Sequence, residues 1–84
     1  MIWIETERDG RYLCGNATHI NFPYRHGGID GAIMWASRAV KHSGNREGDV
    51  IVFRQCANTY ADGPVVHRCT VERGSFNTLQ LVNL

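Results

Sequence analysis

Three cysteines and four histidines are the side chains best suited to covalent or metal chemistry in this chain. His67-x-Cys69 puts two donors on one face of an extended segment, with Cys14 or His19 able to approach from elsewhere in the fold. A structural zinc site normally declares itself by a Cys-x₂₋₄-Cys knuckle, and the sequence has none. Without it, the thiols read as small apolar packing groups. A cysteine nucleophile needs a base, an orienting third group and an oxyanion donor, and no spacing among Cys14, Cys56 and Cys69 places them. The expectation is a chain that is not an enzyme, with no catalytic residue, no metal and no cofactor.

His26-Gly27-Gly28-Ile29-Asp30-Gly31 is the string closest to a ligand motif. Glycines opening a helix present free N–H groups to an anion, so Gly27, Gly28 and Gly31 could cradle a phosphate. The string resembles the glycine-rich loop and following helix of macrodomains, which bind ADP-ribose, although their second phosphate loop has no counterpart here. Against an anion, Asp30 sits in the same turn, where it serves equally as a helix cap. A small phosphate or nucleotide-binding domain is therefore the alternative function.

Trp3, Tyr12, Tyr24, Trp35 and Tyr60 exceed what a small core needs, and large aromatics are favoured interface anchors. Trp3 and Tyr12 share a strand face with Glu5 and Glu7, and these four form the expected partner-binding patch. They would otherwise simply cover the second face of a sheet. Tyr60 and Asp62 lie in Cys56–Pro64, a nine-residue connection long enough to be functional, and give a second patch.

Short elements must position these groups. Asp9-Gly10 between Ile2–Arg8 and Arg11–Ile20 predicts a type I′ hairpin. Two-residue closure sets Arg8 opposite Arg11, Thr6 opposite Leu13, Ile4 opposite Gly15 and Ile2 opposite Ala17. Ile2, Ile4, Leu13 and Ala17 then face the core, with Trp3, Glu5, Glu7, Tyr12, Cys14 and Asn16 on the other side. Asn21–Gly28 is a connector, and Ile29–His42 reads as a helix with Ile29, Ala32, Ile33, Ala36 and Val40 on one stripe and Gly44 beyond its end. Asp49–Gln55 is apolar on both faces, the pattern of a central strand. Val65–Arg73 alternates, Gly74-Ser75 turns, and Phe76–Leu84 can form a last strand. The reading is an α+β domain over residues 1–84, an antiparallel sheet of four to five strands with one amphipathic helix on one face, in the order β-β-α-β-β-(β).

Eighty-four residues with nine Lys+Arg against eight Asp+Glu give a formal charge of +1. A nucleic-acid binder usually shows a basic excess, so this balance speaks against nucleic acid; a weak module using the dispersed arginines is a third reading. Glu5, Glu7 and Asp9 are foreign to a signal peptide, and the longest apolar run, Ala32–Ala36, is far too short to span a bilayer, so a cytoplasmic protein with reduced thiols and no membrane contact is expected. Area scaling gives ~5,000 Å² of folded surface, enough for an interface of ~800 Å² and little pocket.

The Asp9-Gly10 hairpin, the Ile29–Val40 helix and the strands at Asp49–Gln55 and Val65–Arg73 together resemble the small single-domain anti-CRISPR proteins of phages, in architecture and size over most of the chain. That resemblance implies a non-enzymatic inhibitor that binds a subunit of a bacterial CRISPR effector and blocks it sterically, in the host cytoplasm. An exposed last strand also leaves a homodimer open.

Overall fold

The computed structural model describes residues 2–18, 28–57 and 63–84. Its elements are β1 (Ile2–Arg8), β2 (Arg11–Thr18), α1 (Gly28–Ala39), β3 (Val50–Gln55), β4 (Val65–Arg73) and β5 (Leu79–Asn83). The five strands form one antiparallel sheet in the order β2-β1-β3-β4-β5, with α1 on one face, as the patterning predicts. The doubly apolar β3 is the middle strand, and Ile51, Val52 and Phe53 are all buried. On the helix side, Ile2, Ile4, Ile51, Phe53, Cys69 and Val71 pack with Ala32, Ala36 and Val40 of the predicted helical stripe.

Asp9 and Gly10 both take positive φ, 56° and 78°, as a type I′ turn requires. The register beyond that turn departs from the expectation. Arg8 meets Arg11 and Glu7 meets Tyr12, but Thr6 then meets Cys14 because a bulge inserts Leu13 as an extra residue. Ile4 faces Asn16 instead of Gly15, and Ile2 faces Thr18 instead of Ala17. Since side chains alternate, a one-residue slip exchanges faces. Leu13 is thereby displaced from the core to 47% exposure, and Cys14 falls on the row of Thr6, on the helix side.

The helix also stops earlier than predicted, at Ala39. Val40 N–H still donates to Ala36 O, and His42 N–H to Ala39 O closes a tighter turn. The segment expected to begin the last strand is instead a turn: Gly74 N–H donates to Thr78 O at 2.7 Å, and Phe76 and Asn77 both adopt left-handed backbone, φ 59° and 61°. The connector at 19–27 and the loop tip at 58–62 lie outside the described residues. Among those described, no helix is long and apolar enough to cross a membrane.

Candidate functional site

The bulge creates the feature that the sequence reading lacked. With Leu13 and Cys14 raised on one side and Trp35, Ala36 and Ala39 of α1 on the other, a cleft of about 190 Å³ opens between hairpin and helix. Ile4, Thr6, Ile51 and Val40 form its mostly apolar floor, and Arg8, Ser43, Gly44 and Asn45 close one end. Leu13 and Trp35, on opposite walls, are large apolar side chains left 47% and 39% exposed. Cys14 is a free, exposed thiol in the same wall.

The closed end is held by charge. Asp49, 1% exposed, accepts Arg8 Nε at 2.8 Å and Nη2 at 2.9 Å, Arg46 N–H at 2.9 Å and Asn45 Nδ2 at 3.4 Å. The two-pronged bond from Arg8 outweighs the burial that opposes ionisation and holds the Asp49 carboxyl at about 2. In return, the Arg8 guanidinium is raised above its ordinary value. This ion pair ties the foot of β1 to the start of β3. Arg38, Lys41 and Arg46 are exposed, and the sequence holds no acidic residue between Asp30 and Glu47, so this stretch of chain is net basic; Arg8, the charged side chain that lines the cleft, is itself paired with Asp49.

On the helix-free face, the register does bring Trp3, Glu5, Glu7 and Tyr12 together. Their states differ from the expected open patch. Glu5 is 6% exposed, and its Oε1 accepts both Trp3 Nε1 and Arg54 Nε at 2.9 Å. Arg54 in turn donates through Nη1 to Gly63 O at 3.1 Å. Trp3 lies across Gly15, where a Cβ would fall 2.5 Å from its Cζ2, so the indole fills the place of the missing side chain. Glu5 is thus an internal acceptor that a partner would reach only by breaking two bonds, while Tyr12 stands 59% exposed.

Tyr60, Asp62 and Gly27 fall outside the described residues. Gly28 opens α1 and Gly31 is buried, with Asp30 exposed between them in the first turn. His67 and Cys69 do share the helix side of β4, and both reach Asn83 Oδ1, at 2.9 and 3.5 Å. Burial pushes the Cys69 thiol up, away from the reactive thiolate. Among the described residues no three His, Cys, Asp or Glu side chains converge to hold a metal ion.

Gly15 carried a signal of its own: a glycine inside a strand pattern marks a bulge or a close approach, and here it marks the close approach of the Trp3 indole, while the bulge falls two residues earlier at Leu13. Phe76, 98% exposed, carries no such signal, since nothing in Ser75-Phe76-Asn77 favours left-handed backbone at the aromatic residue. Compared with known proteins, the chain matches no family model, no curated protein and no solved structure.

Proposed function

We propose that the chain is a non-enzymatic protein-binding module that acts by covering a partner's surface, with the cleft between α1 and the β1–β2 hairpin as the seat. The observation that carries this reading is the pairing of two exposed apolar side chains, Leu13 and Trp35, across one mostly apolar cleft. An apolar anchor fits that arrangement in shape, and the basic stretch from Arg38 to Arg46 favours a partner that carries carboxylates. Trp35 is the hot spot, since a half-exposed indole removes much area at small rotamer loss. Tyr12, beside Leu13 in the chain but on the helix-free row of Glu7, extends the contact around the hairpin.

The resemblance to small phage anti-CRISPR proteins supplies the partner class, a subunit of a bacterial CRISPR effector held from its target DNA or its nuclease. The test is DNA cleavage by purified effector complexes with and without the chain, read beside direct binding. Trp35→Ala and Leu13→Glu each weaken inhibition about thirty-fold, while Phe76→Ser, remote in sequence from the cleft walls, leaves it unchanged. Inhibition that survives both cleft variants in folded protein refutes the seat. Absence of binding to any effector complex refutes the partner class.

A further inference from the structure

The sheet treats its two edges differently. At β2 the ladder is broken by the Leu13 bulge, and Arg11 sits on the strand, both of which spoil a template for further pairing. At β5 the register with β4 is unbroken over all five residues, and no charged side chain or proline occurs from Gly74 to Leu84. Leu79 and Leu81 are half-buried and pack against the margin of the core, as do Ile29 and Ile33 of α1. An edge so regular and so uncharged is one that isolated chains normally guard against.

Backbone parity fixes what that edge offers. Leu84 N–H donates to Arg68 O, and Gly74 N–H to Thr78 O, so residues 78, 80, 82 and 84 turn their N–H and C=O groups toward β4. Leu79, Leu81 and Asn83 consequently turn theirs outward, where no described strand meets them. We infer that a second copy of this chain does so, through antiparallel β5–β5 pairing about a two-fold axis at Leu81. Centring on Leu81 matches all three outward residues with their counterparts: Leu81 with Leu81, and Leu79 with Asn83, in both directions. Either neighbouring register leaves one of the three without a counterpart inside the strand. The axis stands perpendicular to the sheet, so both helices lie on one face of a continuous ten-stranded sheet. The half-buried Ile29, Ile33, Leu79 and Leu81 margins then meet across the axis. The same register sets Gln80 directly opposite Val82 of the other copy on the helix-free face. The cleft lies between α1 and the opposite hairpin, so the pairing does not depend on the binding reading above.

Sedimentation equilibrium over a concentration series gives a mass that rises to twice 9.5 kDa. Q80K/V82K sets two symmetric pairs of ammonium groups face to face only in the dimer, and raises its Kd about ten-fold or more. Q80K/V82E turns those pairs attractive and restores association. Amide exchange on the unmutated protein reads the same geometry without any substitution: Leu79, Leu81 and Asn83 N–H slow as concentration rises, while Gln80 and Val82 do not change. A wild-type chain that stays at monomer mass, a Q80K/V82K protein that still dimerises, or a concentration-independent exchange pattern overturns the inference.

Discussion

Asp49→Asn removes one charge from a carboxyl that answers four donors at the joint between β1 and β3. The magnitude follows from linkage. Arg8 and its neighbours bring this carboxyl from 3.8 to about 2, and with ~1.4 kcal/mol per pKa unit the ionised form stabilises the fold by about 2 kcal/mol at neutral pH. The folded state binds the proton less readily than the unfolded chain does, so this contribution is complete above about pH 4 and is lost as pH falls to about 2. The amide retains the shape but removes the counter-charge of Arg8, which at a quarter exposed can turn to solvent, so the expected loss stays at about 2 kcal/mol. For a domain of this size that lowers Tm by about 10 °C. Urea unfolding of both proteins at neutral pH and at steps down to about pH 2 isolates the effect, because the other seven acidic residues are common to the pair. The wild-type advantage should be full at neutral pH and should shrink through the acid window until the two curves approach each other. A difference below ~0.5 kcal/mol at neutral pH, or one that does not change with acid, would refute the assignment of Asp49 as the joint's stabilising charge.

Two further substitutions probe the local readings. Gly15→Ala drives a methyl into the Trp3 indole and prises it from Glu5, costing about 1–3 kcal/mol in denaturant unfolding; Gly28→Ala, with open space around it, stays within ~0.5 kcal/mol and serves as the control. The β4–β5 turn carries left-handed backbone at Phe76 and Asn77, so replacing this pair with Asn-Gly stabilises the protein by about 1–2 kcal/mol. Equal or lower Tm in that double variant would mean that the exposed phenylalanine ring contributes more to the fold than its 98% exposure allows.

Much of the architecture is legible from residue types alone, for identifiable reasons. β3 is apolar on both faces because it is flanked by strands on either side and α1 covers one face, and a central position is what that pattern requires. The stripe from Ile29 to Val40 finds the core because helical spacing leaves it no alternative. The hairpin register is not legible in the same way. Asp9-Gly10 fixes its first pairs, and a bulge two pairs later undoes the extrapolation, since closure geometry acts locally and the strand's fit to α1 does not. The fate of Glu5 was hidden for a related reason. Its acceptor role depends on Arg54, forty-nine residues away, and on Trp3 folding over Gly15.

The bulge at Leu13 joins these features into one device. A regular β2 would have sent Leu13 down into the helix side and left Cys14 on the far face, filling the space that is now the cleft. The extra residue instead raises Leu13 as a wall, opens room above Ile4 and Thr6, and places Gly15 where Trp3 can lie across it. The same irregularity breaks the hydrogen-bonding row along β2, which leaves β5 as the regular edge of the sheet. One inserted residue therefore separates the two proposed contact surfaces: the hairpin side becomes a shaped, mostly apolar cleft, and the β5 side keeps an unbroken ladder with no charged side chain. Removing the bulge by deleting Leu13 would be expected to erase the first surface and, by restoring a regular β2, to create a competing edge for the second.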